Sequence, residues 1–220
     1  MTRLARSLIA GSALATLMLS PAFAGSSSEG SQILNGQIAL HTSISTLQTV
    51  ITNVGQDVGI QSVAAGNTLD VTTMNDTHVN NDQYVSTVDI SSDLGARVTN
   101  IGGNVGIQNQ AVCNSANVST DPTITAVTSK QQCDAVDPAA RAYVDATNIG
   151  GSFSLSNSAL GNTFEADSNA SNMPVNNLQI NHSNVTATTT ANVSNVAGTV
   201  SVTSAAIGNN AQIVHYSTNP

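Results

Sequence analysis

Four segments of this 220-residue chain align without a single gap. Asn53–Asn67 reads NVGQDVGIQSVAAGN and Asn100–Asn114 reads NIGGNVGIQNQAVCN. Asn148–Asn162 reads NIGGSFSLSNSALGN and Asn195–Asn209 reads NVAGTVSVTSAAIGN. Their first asparagines stand 47, 48 and 47 residues apart. The second position is always Val or Ile, and an alanine recurs at Ala64, Ala111, Ala159 and Ala206. Gly66, Gly161 and Gly208 precede the closing asparagine, with Cys113 taking that place in the second unit. Chance low complexity gives isolated Gly-Asn pairs, not four ungapped units at near-constant spacing. A fixed period of this size means a solenoid, a propeller or a stacked array.

Within each unit the apolar residues alternate: Val58/Ile60, Val105/Ile107, Phe153/Leu155 and Val200/Val202. Period two is the signature of a half-buried strand. The Gly and Asn positions are read as corners, because both residues tolerate positive φ. The structural corner set is therefore Asn53, Asn67, Asn100, Asn114, Asn148, Asn162, Asn195 and Asn209 with Gly66, Gly161 and Gly208. Strand-like alternation also fills the gaps between units, at Tyr84–Ile90, Thr123–Val127 and Leu178–Ala187. A turn of two short strands needs about 20–25 residues, so a period of 47 is read as two turns, one regular and one degenerate. A four-stranded propeller blade has the same length, but its blades carry Trp-Asp signatures and this chain has no Trp. The best helix candidate is Asp137–Ala146, opened by Pro138. The expected fold is all-β, a solenoid of strand–corner–strand turns.

Composition agrees. Only 8% of residues are charged and 3% aromatic; a disordered chain carries more charge, and a compact enzyme more aromatic core. Met1–Ala24 reads as a signal peptide, with Arg3 and Arg6, the apolar run Leu8–Leu19 and the small-x-small site Ala22-Phe23-Ala24. That run is too short for a membrane span. Residues 25–32 form a Gly/Ser-rich flexible leader, and 33–220 a single repeat domain with cores at 53–67, 100–114, 148–162 and 195–209. After cleavage three basic residues, Arg97, Lys130 and Arg141, face 13 acids. The net charge of about −10 argues against nucleic acid and anionic lipid as partners.

Export makes Cys113 and Cys133 a disulfide candidate rather than a metal pair. His41, His78, His182 and His215 lie in separate stretches without ligand spacing. Asn75–Asp82 gathers oxygens that calcium could take, but it lacks the Gly and terminal Glu of an EF-hand loop and reads as a polar loop. No nucleophile elbow, phosphate loop or carboxylate pair occurs. The expected catalytic, cofactor and metal sets are therefore empty.

The order Val-x-Val-Thr…Gly-Asn-Asn-Ala in Thr199–Ala211, followed by His215-Tyr216, resembles the repeats of curlin, the secreted subunit of bacterial functional amyloid. In curlins, strand–arc–strand turns stack with Asn and Gln ladders at the corners. The curlin internal glutamine is Ser62, Asn109, Asn157 and Ser204 here. The Asn/Thr/Val/Ala-rich style over residues 50–216 is similar to the holdfast-anchor proteins of the HfaD type from stalked alphaproteobacteria. That resemblance implies a secreted surface protein that ties an adhesive polysaccharide to the cell. It also implies a curli-type outer-membrane secretion pore, sister surface subunits and self-association by strand stacking as partners. The location expected is extracellular or on the outer cell surface. The competing reading is a β-helix enzyme acting on polysaccharide, for which Asp57, Asp89 and Arg97 are the ionisable candidates.

Overall fold

A computed structural model of the chain describes residues 31–121, 125–169 and 172–216. The signal-peptide reading of residues 1–24 falls outside these residues, as does the leader up to residue 30. Twelve strands follow one another: β1 (Ser31–Ala39), β2 (Ser43–Val54), β3 (Val58–Thr73), β4 (Thr77–Val85), β5 (Asp89–Ile101) and β6 (Val105–Thr120), then β7 (Thr125–Cys133), β8 (Val136–Ile149), β9 (Phe153–Ser168), β10 (Val175–Asn181), β11 (Thr186–Val196) and β12 (Val200–His215). The first strand thus begins two residues before the boundary that composition suggests.

Every third strand pairs in parallel. Sheet A runs β1-β4-β7-β10, sheet B runs β11-β8-β5-β2, and sheet C runs β12-β9-β6-β3. The described residues form a β-solenoid of four turns, each made of one strand from every sheet. The register places equivalent repeat positions over one another: Val58 on Val105, Val105 on Phe153, Phe153 on Val200. One period is therefore one turn of three strands, not two turns of two. Strands of 9, 12 and 16 residues in the first turn exceed the usual length of five or six, and a wider turn takes up the whole repeat. The intervening segments Tyr84–Ile90 and Leu178–Ala187 are not single strands. Each crosses the corner from sheet A to sheet B.

The long sheet C faces the other two. Its first half packs on sheet B through Val105, Ile107, Phe153, Leu155, Leu94, Val98, Val144 and Ile149. Its second half packs on sheet A through Val71, Val118, Phe164, Val79 and Val127. At the waist between the two lobes, Ala64, Ala111, Ala140 and Ala159 pack with Val85, Ile90, Cys113 and Cys133. Bulkier side chains would overpack this waist.

The helix expected over Asp137–Ala146 is strand β8. Alternating Ala142, Val144 and Ala146 are buried between β5 and β11, and this period-two burial outweighs the alanine content. Pro138 sits in a local register shift, beside Asp137 at φ 41°, so its missing N–H breaks no ladder bond.

Candidate functional site

Parallel stacking puts like residues in columns, and several of these columns are polar. The outermost is Asn53, Asn100, Asn148 and Asn195. All four adopt the left-handed region, with φ between 54° and 58°, which asparagine tolerates. Each drops out of the strand register at the end of its sheet B strand. Their amides link the turns: Asn100 Nδ2 donates to Asn53 Oδ1 at 3.0 Å, Asn148 to Asn100 at 2.8 Å and Asn195 to Asn148 at 2.6 Å.

Asn67, Asn114, Asn162 and Asn209 form a second column inside the sheet C strands. Here the inward phase switches: Val58, Ile60, Ser62 and Ala64 face the core, then Asn67 and Val71. The preceding column, Gly66, Cys113, Gly161 and Gly208, drops out of register. These glycines serve close approach rather than positive φ: a Cβ on Gly66 would meet the Cys113 carbonyl oxygen at 2.6 Å. The left-handed backbone expected of the glycines belongs instead to the outer asparagines. Asn67 donates to Asn114 at 2.9 Å, Asn114 to Asn162 at 2.8 Å and Asn162 to Asn209 at 2.8 Å. A second N–H of Asn67, Asn114 and Asn162 meets the backbone carbonyl of Tyr84, Gln132 and Ile180 in turn, and Asn209 donates to the Gln179 carbonyl. Asn114 and Asn162 are fully buried, and these bonds satisfy both amide N–H groups where water cannot reach.

Two further columns come from outside the singled-out corners. Gln37, Gln83, Gln131 and Gln179 of sheet A form a glutamine ladder. Gln83 donates to Gln37 at 2.9 Å, Gln131 to Gln83 at 2.8 Å and Gln179 to Gln131 at 2.9 Å. Each also donates to a sheet C carbonyl, of Thr68, Ser115, Thr163 or Asn210. Their spacing of 46, 48 and 48 was the available sign. The fourth column is Ser62, Asn109, Asn157 and Ser204, where Asn109 donates to Asn157 at 2.8 Å and Ser92 Oγ to Asn109 Oδ1 at 2.7 Å.

Cys113 of β6 and Cys133 of β7 form a disulfide, with Cα atoms 6.0 Å apart and both residues fully buried. His182 Nδ1 lies 2.7 Å from Asp134 Oδ1. Burial disfavours the charged Asp134 carboxylate, yet hydrogen bonds from His182, Gln132 and Tyr84 and the His182 charge hold it below its ordinary range. Asn75 and Thr77 take part in a local turn around Thr73. Among the described residues no three His, Cys, Asp or Glu side chains gather as metal ligands, and no helix is long and apolar enough to cross a membrane.

Two of the three ionisable candidates, Asp57 and Arg97, make structural bonds. Asp57 Oδ1 accepts the Asn104 backbone N–H at 2.7 Å and so caps the corner of the next turn. Arg97 pairs with Asp145 at 3.7 Å, Arg141 with Asp93 at 3.2 Å and Lys130 with Asp82 at 4.0 Å. Each pair joins adjacent turns. Two of them flank Tyr143 on the outer face of sheet B, a residue that is 57% exposed. Gln48, Asp93, Gly95, Arg141, Thr188 and Thr190 line a shallow depression of about 410 Å³ beside it.

The two ends of the solenoid differ from its middle. Val200, Val202 and Ile213 point along the core columns but are 52%, 46% and 51% exposed, because no turn follows β12 among the described residues. Residues 168–220 contain no Asp, Glu, Lys or Arg. No curated protein and no solved structure matches the chain. A family model does match, that of HfaD, holdfast attachment protein D, over residues 29–219. With that match spanning the whole of the described solenoid, the chain belongs to the holdfast attachment protein D family.

Proposed function

We propose that this protein is exported through a curli-type outer-membrane pore and anchors an adhesive matrix polysaccharide at the cell surface, acting by binding rather than by catalysis. Family membership gives the surface-adhesion role. The observation that supports polysaccharide as the ligand is the outer face of sheet B. There an exposed Tyr143 ring stands among Gln48, Asp93, Arg141, Thr188 and Thr190. An amphipathic ring gives a flat apolar platform for a sugar face, and amides, hydroxyls and charged groups meet sugar hydroxyls as donors and acceptors. The same columns that stabilise the fold support association of copies, or of sister subunits, by strand stacking. The enzyme reading finds no support in geometry, since Asp57 and Arg97 are engaged in structural bonds.

The test is co-sedimentation of the purified mature protein with isolated holdfast-type surface polysaccharide. Binding is expected, and Tyr143→Ala should weaken it about tenfold, the scale of one anchoring aromatic. Absence of binding by the unmodified protein overturns the ligand. Undiminished binding by the variant removes the sheet B face.

A further inference from the structure

The amide ladders have directions, and the directions leave the two ends of the solenoid complementary. In the buried asparagine ladder each amide donates toward the C-terminal end, from Asn67 through Asn114 and Asn162 to Asn209. In the glutamine and outer asparagine ladders each donates toward the N-terminal end. In the two ladders rooted in sheets C and A the orientation is set by a bond to a backbone carbonyl, which only the N–H side can make. The C-terminal end therefore presents two ladder acceptors, Gln179 Oε1 and Asn195 Oδ1, and one ladder donor, Asn209 Nδ2. The N-terminal end presents the reverse: ladder donors on Gln37 and Asn53, and the acceptor Asn67 Oδ1. Gln37 uses one N–H on the Thr68 carbonyl and has a second for the next rung.

The apolar columns match in the same way. Within the stack, Val58 and Ile60 pack in one cluster with Leu94 and Val98 of the following turn. The residues that register with Leu94 and Val98 in the first turn are Leu47 and Ile51, only half buried at the N-terminal end. The residues that register with Val58 and Ile60 in the last turn are Val200 and Val202, exposed at the C-terminal end. Edge strands that must stay free carry charges, commonly lysine. β12 carries none.

We infer that two copies of this chain stack head to tail, the C-terminal end of one on the N-terminal end of the next, with β10 on β1, β11 on β2 and β12 on β3. This rests on the reading that copies associate by stacking, and it fixes which ends meet and in which register. Val200 then sits over Val58, Asn209 over Asn67 and Gln179 over Gln37, and all three ladders run on unbroken. A head-to-head contact would reverse the sense of the coil and bring no ladder over its own column. Because the two surfaces differ, the contact does not close on itself and further copies add to either end.

The register is tested by a double variant, Gln61→Cys with Thr203→Cys. Both residues face outward and stand in one column. Within a chain they are three turns apart, about 14 Å, too far for a disulfide; across the stack they are neighbours at about 4.8 Å, within its reach. Mild oxidation should give a series of covalent dimers, trimers and higher species on non-reducing gels, while each single variant stays monomeric under the same conditions. Dimers from Thr203→Cys alone would show tail-to-tail contact and overturn the inference. Multimers seen by light scattering without cross-linking would overturn the register. A purified protein that stays monomeric at all concentrations defeats the stacking reading itself. Val202→Asp gives an independent arm: its site is exposed in the single chain, so strand content by circular dichroism should hold. Assembly should fall about tenfold or more, as for an unpaired charge buried at a contact. Unchanged assembly by Val202→Asp overturns the inference, and polysaccharide binding by the monomeric variant keeps the two proposals separable.

Discussion

The buried and the outer asparagine columns have the same residue, the same period and similar amide-to-amide bonds, yet they do different work. Asn114 is fully buried and links a carbonyl of β7 to the amides above and below it. Asn100 is solvent-exposed, and its contribution is the backbone: φ 56° turns the chain from sheet B toward sheet C. One column is held by the side chain and the other by the main chain. A repeated residue is therefore not evidence of a repeated task.

The largest effect should come from the buried column. Asn114→Leu leaves the Asn67 N–H, the Gln132 carbonyl and Asn162 Oδ1 without partners. Three unsatisfied buried groups should lower the unfolding free energy by about 4 kcal/mol, measured by denaturant titration. In the outer column, Asn100→Ala should cost about 1 kcal/mol, because a Cβ without a local hydrogen bond disfavours the left-handed region. Asn100→Gly should stay within about 0.5 kcal/mol of the parent. If Gly and Ala cost the same, the outer amides rather than the backbone hold that corner. The smallest effect is expected at the Asp134–His182 pair, a turn-to-turn link at the corner of sheets A and B. The folded carboxyl ionises more readily than the unfolded one. Its contribution is therefore present above the ordinary carboxylate range and is lost as pH falls below about 4. Melting curves between pH 6 and 3 should show Asp134→Asn losing less stability than the parent on acidification.

Much of this was legible in the sequence because stacking turns spatial neighbours into residues one period apart. The columns Val58–Val105–Phe153–Val200 and Ala64–Ala111–Ala159–Ala206 could be read directly, and they are the core and the waist. Two things could not. The number of strands per turn depends on strand length, and long sheet C strands hide their corner as a change of inward phase at Gly66 rather than as a break. Sheet A repeats its burial pattern but not its residues: Gln83 aligns with Gln131, while Asp82 aligns with Lys130 and Tyr84 with Gln132. Its glutamine ladder was visible only to a search by spacing. The helix expected at Asp137–Ala146 failed for the opposite reason, since alanines chosen for a narrow interior resemble alanines chosen for helix propensity.

An adhesion protein works under tension, and the disulfide decides how this one can lengthen. Cys113 lies in the second turn and Cys133 in the third. Each turn touches only its neighbours, so a pull on the two ends peels turns away in sequence. Peeling from either side reaches a cross-link that hydrogen-bond rupture cannot open. The 20-residue separation between the cysteines then withholds about 70 Å of contour length, and the strained chain keeps a covalent waist at its centre.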